Sequence, residues 1–84
     1  MNKIKINKIG DDTFEVDLEG SKFIVTVKDA DYERLTSGKI SKEELIKKSF
    51  EFLLERESKE SILKEFDITV ISKYFPEYEE VISQ

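Results

Sequence analysis

The chain of 84 residues contains no cysteine and no histidine. Without cysteine it has neither a disulfide framework nor a thiolate zinc site. Without histidine it lacks the most common general base, pH switch and transition-metal ligand, and no serine can belong to a Ser-His-Asp triad. The chain has three glycines, and their spacing does not match a glycine-rich phosphate-binding loop. We therefore predict that the protein is not an enzyme and binds no cofactor.

Long apolar runs and an excess of positive charge are missing as well. No run approaches the roughly 18 apolar residues that indicate a membrane span, and the N-terminus does not resemble a signal peptide. We therefore expect a cytoplasmic protein with no membrane partner. The net charge of −5 argues against general nucleic-acid binding, because neutralisation of phosphates dominates that attraction. The length predicts a single domain, residues 1–84.

The first third of the chain has the alternating pattern of β-strands. We predict strands at residues 3–9, 13–18 and 22–28, with tight turns between them. Connections this short predict an antiparallel meander, and its apolar face needs a cover. The first strand carries lysines and the second carries acids, so we expect ion pairs across these two strands.

The strongest helix signal lies in residues 41–57. Ser41 and Glu44 have the spacing of a capping box at its start. Its apolar residues spread over roughly 200° of the helix surface, against the roughly 100° stripe of a helix buried on one side. We therefore expect this central helix to be covered on two sides, by the sheet and by further helices.

Shorter helices complete the predicted fold, at residues 29–36, 59–65, 68–75 and 77–82. The segment ITVI, residues 68–71, fits a fourth strand as well as a helix. Pro76 disfavours helical geometry at Phe75 and suits the first turn of the last helix. The prediction is an α+β domain in which the helices pack on one face of a three-stranded meander.

Two acid pairs, Asp11/Asp12 and Glu79/Glu80, are the clustered carboxylates of the chain. Paired carboxylates can bind a divalent cation or serve as acid and base. Neither pair has the alternating spacing of a calcium-binding loop. The first suits a turn and the second a solvated helix face, so we predict no catalytic and no metal-binding residue.

The most prominent candidate for a binding surface is the segment YFPEY, residues 74–78. Aromatic side chains anchor interfaces well because they bury a large area at a low entropic cost. The candidate partner-binding residues are Tyr74, Phe75, Pro76 and Tyr78. In the alternative interpretation, Phe75 and one tyrosine close the core. We predict an interaction module that binds another protein, or a second copy as a homodimer, through its C-terminal helices and this cluster.

The C-terminal half resembles a family of small uncharacterised prokaryotic proteins. The likeness lies in SFEFLLERE, residues 49–57, and in SILKEFDITVISKYFPEY, residues 61–78. It implies a shared fold unit and supplies no functional residue, since the family has no assigned activity. The order strand–strand–strand–helix also resembles the partner-binding domain of HicB-type antitoxins, a likeness in the order of elements only.

A second hypothesis concerns the basic first strand. Lys3, Lys5 and Lys8 occur in a stretch, residues 1–9, that contains no acid. They could contact phosphates while Tyr32 or Phe14 stacks on bases. This alternative is a nucleic-acid-associated or antitoxin-like regulator.

Overall fold

The computed structural model of the chain describes residues 3–83. Its first part is an antiparallel meander of three strands: β1 (Ile4–Lys8), β2 (Thr13–Leu18) and β3 (Ser21–Thr26). The strict alternation of β2 buries Phe14, Val16 and Leu18 on one face, while its polar residues lie on the other. These strands and their pairing agree with the period-2 pattern of the sequence.

The turn between β2 and β3 shows why this pairing is locally determined. Glu19 and Gly20 both have positive φ angles, 51° and 92°. A two-residue turn with positive φ at both positions matches the twist of the strands that it joins. The Gly20 N–H also donates to Asp17 Oδ1 at 3.0 Å. The turn therefore sets the register of the two strands.

The sheet has a fourth strand, β4 (Glu65–Asp67), which lies parallel to β3 in the order β1-β2-β3-β4. The fold is thus α+β with a mixed four-stranded sheet, not a three-stranded meander alone. The prediction of a helix over residues 59–65 is wrong: a single 3-10 turn (Lys59–Ser61) precedes β4. Parallel strands need a long crossover connection, and the two helices between β3 and β4 provide it.

Tertiary contacts explain why this segment becomes a strand. The free edge of β3 offers backbone partners: the Ile24 N–H donates to Lys64 O at 2.8 Å, and the Ile68 N–H donates to Thr26 O at 2.9 Å. Phe66 lies beside Val25 in the register and is buried with it. The burial of Phe66 and the backbone hydrogen bonds to β3 outweigh the helical spacing of the apolar residues in this segment, because the preference for strand depends strongly on context.

The helices are α1 (Asp29–Thr36), α2 (Lys42–Leu54), α3 (Val70–Tyr74) and α4 (Tyr78–Ile82). The predicted helix over residues 29–36 matches α1. At the start of α2 the Ser41 hydroxyl accepts from the Glu44 N–H at 3.1 Å, and α2 ends at Leu54 instead of at residue 57. The helix predicted over residues 68–75 begins only at Val70, because the chain first leaves β4.

The core lies between the sheet, α2 and α4. On the sheet side of α2, Phe50 contacts Phe23 with ring centroids 5.2 Å apart. On the opposite side, Phe52 contacts Tyr78 at 5.3 Å, again edge to face. Such aromatic pairs contribute about 0.5–1.5 kcal/mol beyond the area that they bury. Both sides of α2 are therefore covered, as its broad apolar arc predicts.

Candidate functional site

The four residues predicted to bind a partner do not share one surface. Tyr78 has no exposed surface and packs in the core. Phe75 is half-buried, with its ring centroid 5.8 Å from that of Phe52. Tyr74 is 67% exposed and Pro76 is also exposed. Phe75 and Tyr78 thus close the core, as in the alternative interpretation, and Tyr74 and Pro76 lie at the surface.

Tyr74 borders an apolar groove, which lies between the end of α2, the segment before β4, and α3. The groove has a volume of about 230 Å³. Its apolar lining includes Leu53, Ile62, Leu63, Phe66 and Val70, together with two of the predicted partner-binding residues, Tyr74 and Phe75. We call this feature the α3 groove.

Local geometry before β4 brings Leu63 to the rim of the α3 groove. Ile62 is extended, with φ −75° and ψ 133°, and successive side chains of an extended chain point to opposite sides. Ile62 is accordingly buried, whereas Leu63 is 49% exposed. A helix over residues 59–65, as predicted, lacks this alternation, so the prediction missed the exposure of Leu63. The sequence signal that could have indicated a strand is the polar–apolar–polar alternation of Glu65, Phe66 and Asp67.

The α3 groove is sized for a protein side chain. Sites for small molecules and cofactors usually enclose about 300–1,000 Å³, more than the volume of the α3 groove. Pockets that receive one anchoring side chain of a partner are typical of the centres of protein interfaces. Because large apolar residues at its rim remain exposed to water, covering them releases free energy of roughly 25 cal/mol per Å².

One member of each acid pair, Asp12 and Glu79, forms a surface ion pair. Asp12 lies 3.4 Å from Lys42 Nζ, which also binds Asp29 Oδ1 at 2.6 Å. The hydrogen bond from Lys42 lowers the pKa of Asp29. Arg34 of α1 donates to Glu79 of α4 and thereby lowers the pKa of this carboxyl. Within residues 3–83, no three acidic side chains are grouped so that they could hold a metal ion.

The basic first strand lies at the edge of the sheet, beside β2 alone. The acids of β2 pair with the other neighbouring strand: Lys22 Nζ of β3 is 3.5 Å from Glu15 and 3.7 Å from Asp17. Of the two aromatic residues considered for base stacking, Phe14 is buried. The other, Tyr32, is half-buried and donates its hydroxyl proton to Ile40 O.

Comparisons with known proteins assign no function to either surface. No protein-family model, no curated protein and no solved structure matches the chain. In the part of the chain that the structure describes, no helix has the length and apolarity needed to cross a membrane.

Proposed function

We propose that the protein is a non-enzymatic, cytoplasmic interaction module whose α3 groove binds one apolar side chain of a partner protein. The observation that supports this function is the exposure of Leu63 and Tyr74, 49% and 67%, at the rim of an apolar groove. Single exposed apolar residues are normal on protein surfaces, whereas a cluster around a concave site is typical of interaction sites.

The energetics favour a single anchor. Complete burial of a leucine or phenylalanine side chain contributes about 1.5–3 kcal/mol, and a few such anchors dominate most interfaces. Tyr74 suits the rim because its ring covers apolar surface while its hydroxyl stays in water. Glu57, which also lines the groove, favours a basic residue next to the anchor of the partner.

A second copy of the chain fits the groove less well than a different protein. Outside the groove, the exposed large apolar residues among residues 3–83 are Ile9 and Val81. Each stands close in the sequence to an acid that forms no ion pair among residues 3–83, Asp11 or Glu80. A second copy would therefore bring further negative charge to a groove that already contains Glu57. Like charges brought together at an interface disfavour that pairing. We therefore propose a different protein as the occupant.

Site-specific crosslinking tests this function. A photo-reactive aromatic side chain replaces Tyr74 in one variant and Val81, the matched exposed control on α4, in another. Irradiation in an extract of the native cells should give a product at position 74 that disappears when Leu63→Glu is added. The crosslinked protein, once purified, should bind the unlabelled chain with a dissociation constant that Leu63→Glu raises about tenfold, which corresponds to about 1.4 kcal/mol.

The controls separate binding from folding. Leu63 and Val81 are both exposed, so Leu63→Glu and Val81→Glu should each change stability by about 0.5 kcal/mol or less. Equal crosslinking at positions 74 and 81, or binding that Leu63→Glu leaves unchanged, contradicts the proposal. A product with twice the mass of the chain identifies a second copy as the occupant and overturns the choice of a different protein.

A further inference from the structure

The outer edge of β1 (Ile4–Lys8) leaves backbone hydrogen-bonding groups without a strand partner. Hydrogen-bonded and non-hydrogen-bonded pairs alternate along an antiparallel ladder. The Ile9 N–H donates to Thr13 O at 2.9 Å, immediately beyond the pair Lys8↔Phe14. Ile9 and Thr13 are therefore a hydrogen-bonded pair, and alternation makes Lys8, Ile6 and Ile4 members of non-hydrogen-bonded pairs. The backbone N–H and C=O groups of these three residues point away from β2. They form the row that an added strand needs.

The side chains along this edge are basic, and they form no close ion pair among residues 3–83. In the register Lys5 lies opposite Asp17, but that acid is held by Lys22 of β3. Among residues 3–83, no ion pair within 4.0 Å involves Lys3, Lys5 or Lys8. All three lysines are exposed. The edge therefore attracts a segment that carries carboxylates.

The two sides of β1 specify the order of residues in that segment. Ile4 and Ile6 are half-buried and pack against the core on one side, whereas Lys5 is exposed on the other. A matching strand carries apolar residues on the first side and acids on the second. The strand already bonded to β1 has this pattern: β2 reads TFEVDL, with apolar residues inward and acids outward.

We propose that the outer edge of β1 binds an extended acidic segment of another protein, in which acids alternate with apolar residues, by strand addition. The segment forms backbone hydrogen bonds with β1, covers Ile4 and Ile6, and places its carboxylates opposite Lys3 and Lys5. This surface is at the edge of the sheet opposite β4, away from the α3 groove. The inference does not depend on the function proposed for that groove.

Two other occupants fit this edge less well. Pairing of β1 with β1 of a second copy sets lysines against lysines, and like charges on adjacent strands are destabilising. The acidic edge strand of a second copy is β4, which has three residues and offers few backbone bonds. A nucleic acid can contact the three lysines, but its bases cannot stack on Phe14, which is buried. A chain of net charge −5 also repels its phosphates.

The test uses a synthetic probe with the sequence of residues 12–19, DTFEVDLE, blocked at both ends and labelled for fluorescence anisotropy. It should bind the full chain saturably. The double variant Lys3→Glu/Lys5→Glu should weaken binding at least about tenfold, because two attractions become repulsions. The matched control Lys47→Glu/Lys48→Glu makes the same charge change on the exposed side of α2 and should leave binding unchanged.

A second variant tests the backbone bonds directly. Ile6→Pro removes an outward N–H, and proline is tolerated at such positions of edge strands. It should weaken binding while the amide spectrum of the other strands stays that of a folded sheet. In the unsubstituted chain, the probe should slow amide hydrogen exchange at Ile4, Ile6 and Lys8 more than at Lys5.

The remaining outcomes overturn the proposal. A probe with lysines in place of its acids should not bind, and equal binding of both probes contradicts the role of charge. Tighter binding of single-stranded oligothymidylate than of the acidic probe assigns the edge to nucleic acid instead. Concentration-dependent sedimentation that Lys3→Glu/Lys5→Glu abolishes assigns it to a second copy. Loss of probe binding with Leu63→Glu places the probe in the α3 groove.

Discussion

The hydroxyl of Tyr78 on α4 lies 2.6 Å from the hydroxyl of Ser49 on α2, and neither side chain has exposed surface. The Ser49 hydroxyl donates its single proton to Leu45 O at 2.7 Å. Tyr78 must therefore be the donor to Ser49 Oγ. The pair ties α4 to the central helix by a buried chain of two hydrogen bonds, and every buried side-chain polar atom of residues 3–83 has a partner.

Because the direction of this bond is known, the two single substitutions should have unequal costs. Ser49→Ala leaves the Tyr78 hydroxyl buried without an acceptor and should cost about 1–3 kcal/mol of unfolding free energy. Tyr78→Phe leaves Ser49 still bonded to Leu45 O and should cost about 0.5–1.5 kcal/mol. Chemical denaturation of both variants measures these differences.

The double variant Ser49→Ala/Tyr78→Phe provides the control for that comparison. Because it removes donor and acceptor together, it should be more stable than Ser49→Ala alone. If Tyr78→Phe is the more harmful single change, or if the two costs simply add, the two hydroxyls do not form this buried pair.

Stability should fall in alkaline solution through Tyr78. Burial raises the pKa of Tyr78 to about 12, whereas an unfolded tyrosine has a pKa of about 10. A raised folded pKa means that the contribution is complete below about pH 10 and is lost as the pH rises through about 12. The full loss is about 3 kcal/mol, at roughly 1.4 kcal/mol for each pKa unit.

Denaturation of the native chain and of Tyr78→Phe at successive pH values tests this expectation. The difference in stability between them should shrink above about pH 10 and then reverse. The near-ultraviolet difference spectrum of the two proteins should show tyrosinate only toward pH 12. A difference that stays constant across this range excludes titration of a buried Tyr78.

The ion pair between Arg34 and Glu79 should contribute little at neutral pH and less in acid. Both side chains are partly exposed, 47% and 40%, and such pairs are usually worth about 0.2–1 kcal/mol. The hydrogen bond from Arg34 lowers the pKa of Glu79. Its contribution is therefore present above the unfolded glutamate pKa of about 4.3 and is lost as the pH falls through the lower folded value.

Glu79→Gln, compared with Glu80→Gln on the same helix, measures this pair. Glu79→Gln should lower the melting temperature at low salt, and high salt should reduce the effect because it screens exposed charges. Glu80→Gln, in an exposed residue, should change the melting temperature less. If Glu79→Gln lowers the melting temperature at high salt, and below about pH 3, by as much as it does at low salt and neutral pH, the effect is not ionic.

The turn after β4 should depend on one carboxyl oxygen. Asp67 Oδ1 accepts from the Thr69 N–H at 2.9 Å and from Thr69 Oγ1 at 2.8 Å. Asp67→Ala removes both bonds and should cost about 1 kcal/mol, with faster amide exchange at Ile68, which bonds to β3. Asp67→Asn keeps a side-chain acceptor and should restore most of the stability.

Glu65→Ala is the matched control, since Glu65 is exposed on the same short strand. It should leave the exchange rate at Ile68 unchanged. If Asp67→Asn is as unstable as Asp67→Ala, the carboxyl group acts through its charge and not as the acceptor of the turn.

Local sequence signals were sufficient to predict the elements whose defining contacts lie close together in the chain. The first three strands follow from alternation and from a turn whose residues, Glu19 and Gly20, adopt positive φ. The start of α2 follows from Ser41, whose hydroxyl accepts from a backbone N–H within its own first turn. Such signals act over a few residues, so the pattern alone predicts them.

In the C-terminal third, only the tertiary structure determined where a strand forms and which tyrosine is buried. β4 forms because β3 has a free edge, a partner that lies about 40 residues away in the sequence. Tyr74 and Tyr78 belong to the same YFPEY segment, yet one is exposed at a groove and the other is buried against Ser49. Identical side chains cannot encode that difference; the docking of α4 on α2 imposes it, because burial is a property of the whole packed chain.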